Sequence, residues 1–298
     1  MKSKLYTAMF VTLLVLGILL SGIFWLVMSV LRVQGNLLYI GIFVFVALMA
    51  LFQWAIGPTI VKAISKAKPT DDPKLAEMVS RLAKQAGIPI PRVLLVNSPV
   101  PNAFAFGRTQ KSSYIALHTG LLERLSQPEV EAVVAHELGH IKHRDILVMT
   151  MASTLPTLLF YIIYFGTLAA SRDNRGNYLG AWIGGSIAQF IGTLLVLYLS
   201  RVREYYADYH SATLTRQPAL LASALAKIVA VNAAAKPQPA NSALRMFYLI
   251  DPSSIRGFAG VDLESVRKAE SRLPEFLMTH PKTSKRITAL QRMEKELS

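Results

Sequence analysis

Four long runs without a charged side chain constrain this chain more than any other feature: Leu5 to Leu31, Leu37 to Ile60, Ile146 to Ala170 and Leu179 to Leu199. A bilayer core takes about 20 apolar residues of helix, so each run is long enough to span. In lipid the backbone must satisfy its own polar groups, which makes helix the expected form for such runs. They also pair off. Only Arg32 to Asn36 separates the first two, and only Ser171 to Asn177 the last two, so each pair predicts a transmembrane hairpin. The first run exceeds the apolar region of a secretory signal peptide and leads straight into a second, which favours a span over a cleaved leader. For the second pair the rival reading is a buried hairpin of a soluble core. With 52% hydrophobic residues the chain is predicted to be a mainly α integral membrane protein with four transmembrane helices.

The hairpins divide the chain into 1–62, an N-terminal transmembrane hairpin; 63–145, the first part of a non-membrane domain; 146–199, the second hairpin; and 200–298, the second part of that domain. Lys2, Lys4, Lys62, Lys66, Lys68, Lys142, Arg144, Arg201 and Arg203 flank the spans on one side, against Arg32, Arg172 and Arg175 on the other. The positive-inside bias places the first side, with both termini and the domain, in the cytoplasm at the cell membrane. An anionic bilayer surface accounts for the net charge of +14, and no nucleic-acid-binding module is recognisable. There is no cysteine, which excludes disulfides and thiolate-bound zinc.

Within the first part of the domain, Thr70-Asp71-Asp72-Pro73 opens a helical pattern, Leu75, Met78, Val79, Leu82 and Ala86, that ends at Gly87 and Pro89. Three short apolar stretches follow, Val93 to Val96, Ala103 to Phe106 and Tyr114 to Leu117, separated by Pro, Asn, Gly and Ser. They predict a three-stranded sheet. Ser126-x-x-Glu129 with Pro128 is a capping box at the start of another helix. In the second hairpin Pro156 predicts a kink, and Gly180, Gly184, Ala188 and Gly192 fall four apart, a smooth face for close packing. Leu214 to Val231 reads as a helix and Lys236 to Asp262 as a variable loop.

The capped helix carries His136-Glu137-Leu138-Gly139-His140. Residues four apart share a helix face, so His136 and His140 can offer two imidazole nitrogens to one metal, with Glu137 beside them as a general base. His143 lies about 10 Å of helix rise from His136, too far to join them, and is read as a solvated residue at the helix exit. A metzincin would have histidine where this chain has Ile146. The second hairpin returns the chain to the side it left just before Glu204 and Asp208, an i, i+4 pair. Glu204 is thus a candidate third ligand, with Asp208 placed to bond a ligand histidine. The plainer alternative is salt bridges to Arg201 and Arg203, and both readings stand on these residues alone.

His136 to His140 followed by Glu204-x-x-x-Asp208 resembles the zinc-dependent gluzincin family that contains the HtpX membrane proteases and the CAAX prenyl endopeptidases. Pro101-Asn102-Ala103-Phe104-Ala105-Phe106-Gly107 looks like that family's Asn-Ala-aromatic-Ala-x-Gly strand, and Thr279-His280-Pro281 with Arg286-Ile287 like its C-terminal motif. The four-span layout is closer to HtpX than to the larger prenyl proteases, which have additional spans. The resemblance implies a cytoplasmic zincin-like α+β catalytic domain holding one Zn2+ per chain on His136, His140 and Glu204. It implies that Glu137 is catalytic, that Asp208 supports a ligand histidine, and that Asn102, His280 and Arg286 line the site. His118 and His210 match no motif and are read as structural or exposed.

The chemistry so implied is peptide hydrolysis, with Glu137 moving the proton and His280 or Arg286 helping to hold the oxyanion. An extended substrate adds as a strand along Asn102, Ala103, Phe104 and Ala105, which expects broad specificity. The expected partners are the lipid bilayer and unfolded or membrane-protein substrates, and the expected role is quality control of damaged membrane proteins under stress. The rivals are a CAAX-type prenyl-protein processing protease and a non-catalytic zinc-binding membrane scaffold. Glu137 argues against the scaffold, since binding alone needs no base.

Overall fold

The computed structural model describes residues 36–170, 178–234 and 274–297. The run from Leu5 to Leu31, the interval 171–177 and the loop from Lys236 to Asp262 lie outside them. Residues 1–49 and 50–298 form separate compact units.

Three helices among the described residues have stretches long and apolar enough to cross a membrane: Ala47–Ser65, Asp145–Leu168 and Tyr178–Thr215. The first belongs to α1 (Asn36–Ser65). A short β1 (Lys68–Pro69) leads into α2 (Pro73–Ala86), whose ends follow the local chemistry. Asp72 accepts a hydrogen bond from the Lys74 N–H at 2.9 Å, and Gly87 closes the helix at φ +71°, a conformation glycine adopts without a Cβ penalty.

Strands β2 (Arg92–Val96), β3 (Ala103–Gly107) and β4 (Ser113–His118) follow. The predicted sheet of three strands is a mixed sheet of four, in the order β1-β2-β4-β3. The fourth strand is β1, two residues antiparallel to β2, and so short a strand has no period for a pattern to reveal. β2 and β4 run parallel, β3 and β4 antiparallel, and β3 is an edge strand.

Alternation sorts the strands onto two apolar cores. Ile115, Leu117 and Ala103 join the larger core with Leu75, Val79 and Leu82. Leu94, Val96, Phe104, Phe106 and Ala116 pack on the other face with Val61 and Ala67. After the single-turn α3 (Thr119–Leu122), α4 (Gln127–Lys142) runs through the larger core, with Val130, Val133, Val134 and Leu138 buried. Glu129 accepts from the Ser126 backbone at 2.8 Å, completing the capping box. Its other oxygen accepts from the Ser223 hydroxyl at 2.7 Å, and Lys227 also pairs with it, so this cap holds two helices together.

Past α4 the chain turns at Arg144, φ +55°, into α5 (Asp145–Ala152) and α6 (Leu155–Ala170). The expected effect of Pro156 is a full interruption at Ser153 and Thr154, with the proline in the first turn of α6, where it sacrifices no hydrogen bond. The long α7 (Tyr178–Thr215) packs against α6 through its glycines. A Cβ on Gly192 would lie 2.9 Å from Pro156 Cα, and one on Gly185 2.9 Å from the Phe160 ring.

α7 has 38 residues, about twice what a bilayer requires, and changes character along its length. Leu179, Ile183, Ile187, Phe190, Ile191 and Leu195 are exposed, whereas Glu204, Ala207, Asp208, Ser211 and Ala212 are buried. Arg216, φ +55°, then starts a turn, and α8 (Pro218–Ala234) begins at a proline, four residues later than the periodicity alone predicts. The last helix, α9 (Thr283–Leu297), adds Ile287 and Leu290 to the larger core.

Candidate metal centre

The site forms where α4 crosses α7. The crossing is close because small residues meet there: a Cβ on Gly139 would lie 3.1 Å from Ala207 Cα and 3.2 Å from His210 Cβ. The Ser211 hydroxyl donates to the Ala132 carbonyl at 2.7 Å, fixing the register of the two helices. With that register set, the 136/140 face of α4 looks onto the 204/208 face of α7.

His136 Nε2 and His140 Nε2 are 3.2 Å apart. Glu204 brings Oε2 to 3.7 Å from the first and Oε1 to 3.6 Å from the second. All three ligand atoms lie within 4.8 Å of one another. A tetrahedral zinc with ligands at about 2.0–2.2 Å has donor–donor edges of roughly 3.3–3.6 Å, so the spacing suits that ion.

The surrounding carboxylates make the fit chemical as well as metric. His136 Nδ1 is 3.0 Å from Asp208 Oδ1, and His140 Nδ1 is 2.6 Å from Asp145 Oδ2. With each Nδ1 carrying the proton that faces its carboxylate, each Nε2 presents a lone pair. Two lone pairs and a carboxylate converging on one point repel unless a cation lies between them.

Arg286 closes the site from α9. It donates to Asp208 from Nε at 2.8 Å and from Nη2 at 2.6 Å, and pairs with Glu204 through Nη1 at 2.9 Å. Burial opposes its charge, but Asp208 and Glu204 hold its pKa above the ordinary guanidinium value. All three nitrogens are thus turned to carboxylates, an arrangement that positions a ligand and leaves little of Arg286 to meet a substrate.

His280 Nδ1 stands 3.2 Å from Glu204 Oε1 at the edge of the same cluster. Glu137 is 3% exposed, and among the described residues its side chain forms no hydrogen bond or salt bridge, though its carboxylate contributes to the field that holds Arg286 charged. Asn102 is buried at the start of the edge strand, and its carbonyl accepts from the His118 N–H at 3.0 Å. Ala103 and Phe104 are buried and Ala105 half-buried along β3.

The remaining histidines separate cleanly. His118 is buried, its Nδ1 donating to the Val100 carbonyl at 2.9 Å, and burial lowers its pKa. His210 is buried beside Gly139, and His143 is exposed at the end of α4.

Sequence reasoning missed Asp145. Beyond orienting His140, it pairs with Arg203 of α7, whose Nη2 also donates to the His143 carbonyl at 2.8 Å. Its available signal was an acidic residue just past a helix end and five positions after a candidate ligand. The left-handed turn at Arg144, which folds Asp145 back onto His140, is not written in any periodicity.

Comparison with known proteins gives a consistent placement. The model of Peptidase family M48 matches residues 69–294. A protease HtpX homolog of Methanothermobacter thermautotrophicus is 42% identical over 214 residues, 70% of this chain and 81% of that protein. The protease HtpX homolog of Moorella thermoacetica is 35% identical over 291 residues, 94% of this chain and 92% of that protein. Among solved structures, the crystal structure of S. mikatae Ste24p aligns with a TM-score of 0.62 at 20% identity, covering 97% of this chain and 67% of that one. That last likeness is one of fold.

Proposed function

The chain belongs to peptidase family M48 and is an integral membrane metalloprotease of the HtpX type, and from that premise we propose that it is a zinc-dependent endopeptidase acting on misfolded or damaged membrane proteins. The observation that carries the zinc assignment is the meeting of His136, His140 and Glu204, with Asp208 and Asp145 on the outer nitrogens of the two rings. Zinc held there supplies Lewis-acid polarisation of a carbonyl and lowers the pKa of water towards about 7.

The chain's own side chains do the rest. Glu137, buried and with no side-chain hydrogen bond among the described residues, accepts the proton of the attacking water and delivers it to the leaving amine. His280 stands beside Glu204, where an Nε2–H can meet the developing oxyanion. Arg286 holds Glu204 and Asp208 in place as a positioning residue. The substrate lies extended along the edge strand β3, bonded through backbone groups, so recognition is tolerant of sequence and suits unfolded polypeptide.

The cluster of Lys62, Lys66, Lys142, Arg201 and Arg203 at the ends of the candidate spans supports a cytoplasmic site through the positive-inside bias. Quality control of membrane proteins is the role we read from that placement together with the resemblance to the HtpX membrane proteases.

The test replaces Glu137 by Gln. Zinc content should stay at one per chain while cleavage of an unfolded protein such as casein, assayed in detergent, is lost. A Glu137→Gln variant that cleaves as fast as the parent sinks the mechanism.

A further inference from the structure

Beyond the metal ligands, β3 runs towards a cavity of about 360 Å3 that shares His140 as part of its wall. Trp54 of α1 and Leu147 of α5 supply apolar surface, while Arg108, Lys111 and Arg144 supply three cations. None of its lining residues is acidic, and among the described residues none of these three cations forms a salt bridge.

The walls are fixed. Trp54 Nε1 donates to the Arg108 carbonyl at 3.0 Å, and Arg108 Nε donates back to the Ala55 carbonyl at 2.7 Å. Gln110 Nε2 donates to the Lys142 carbonyl at 2.9 Å, tying the β3–β4 turn to the end of α4.

Arg144 is the informative member. It sits at φ +55°, where an L side chain costs about 1–2 kcal/mol and glycine costs least. Lys66 and Arg216 share that backbone conformation, but only Arg144 of the three lines the cavity, where the left-handed turn sets its side chain beside the wall formed by His140.

The geometry points to a specificity pocket of the protease that takes an acidic side chain of the substrate, on Arg108, Lys111 and Arg144, at a position before the scissile bond. β3 runs from Ala103 to Gly107 and leads into Arg108 of the cavity wall, so a substrate strand laid antiparallel on its free edge has its N-terminal half beside the cavity. The inference rests on the hydrolase reading above for the direction of the substrate, but its first readout needs no turnover.

The Glu137→Gln variant, in neutral detergent, is titrated with fluorescein-labelled extended peptides, neutral but for a central Glu or Lys, and binding is followed by anisotropy. The Glu peptide should bind about tenfold more tightly, as charge-assisted hydrogen bonds imply. Adding Arg144→Gly and Lys111→Ala should bring the two within about twofold of each other, and the glycine relieves the backbone strain, so the fold is kept. Equal affinities at the outset, or a preference that survives those substitutions, would overturn the pocket. Tight binding of phosphatidylglycerol there, with no discrimination between the peptides, overturns it equally.

The parent enzyme supplies the second readout, acidic residues enriched before the bonds cleaved in casein. Cleavage without that enrichment, together with equal peptide affinities, removes the pocket and leaves the hydrolase. Selective peptide binding by a parent that cleaves nothing removes the hydrolase and leaves the pocket.

Discussion

Arg203 of α7 pairs with Asp145 at the start of α5, so the carboxylate that orients His140 is itself held by the helix that carries Glu204. With Asp208 of the same helix on His136, all three candidate ligands are set by one rigid element. An Asp145→Asn variant keeps the shape of the side chain but loses the charge that fixes the His140 tautomer. Zinc affinity, measured by competition with a chelator, should fall about 10–100-fold, and an unchanged affinity would remove Asp145 from the site.

Arg286 is 1% exposed and neutralises two buried carboxylates. Arg286→Ala removes the guanidinium that Glu204 and Asp208 share and leaves them histidines as their only partners among the described residues, and should destabilise the fold by about 3–5 kcal/mol when metal is removed. Zinc partly replaces the lost charge. The difference in melting temperature between zinc-loaded and chelator-treated protein should therefore be larger for the variant than for the parent, and an equal difference contradicts this balance.

Gly139 needs no special backbone angle; its role is to let α7 approach. In a Gly139→Ala variant the new methyl meets Ala207 Cα at 3.1 Å, which is backbone and gives way only by moving a helix. A loss of about 1–3 kcal/mol in detergent unfolding is expected, accompanied by weaker zinc binding as Glu204 is displaced. Full stability and full zinc affinity would mean the helices yield freely.

Glu129 titrates at about 2: burial favours its neutral form, but Lys227, Ser223 and Ser126 overcome that by bonding the carboxylate. A depressed carboxylate stabilises the fold above the unfolded value, near 4.5, and that contribution is lost as pH falls from there towards 2. A Glu129→Gln variant should be less stable than the parent at pH 7, by up to about 3 kcal/mol, with the difference narrowing as pH falls through this window. A gap that stays constant from pH 7 to pH 3 would show that the charge is not what matters.

The parts legible in the sequence are those governed by local chemistry or by a period. Asp72, Gly87, Ser126 and Glu129 mark helix ends through hydrogen bonds to residues a few positions away, and alternation exposes β2, β3 and β4. For the meeting of His136, His140 and Glu204, the helical spacing and the returning hairpin made Glu204 a candidate, and the resemblance to the gluzincin family chose it over salt bridges to Arg201 and Arg203. What was not legible depends on contacts without a period. β1 is two residues whose strand character comes from pairing with β2. The tie from Glu129 to Ser223 and Lys227 joins positions almost a hundred apart, and Asp145 reaches His140 through one unusual turn. Arg286 was expected to line the site, and its three carboxylate contacts required the packing of α9 against α7.

The unbroken course of α7 gives this design a mechanical side. A helix of 38 residues is a rod roughly 57 Å long, and Glu204 and Asp208 are attached to it beyond its lipid-facing half. The exposed apolar residues from Leu179 to Leu195 and the buried Glu204 and Asp208 therefore ride on one uninterrupted helix that crosses α4 at Gly139, a single stiff piece with no hinge between its apolar half and the candidate ligand.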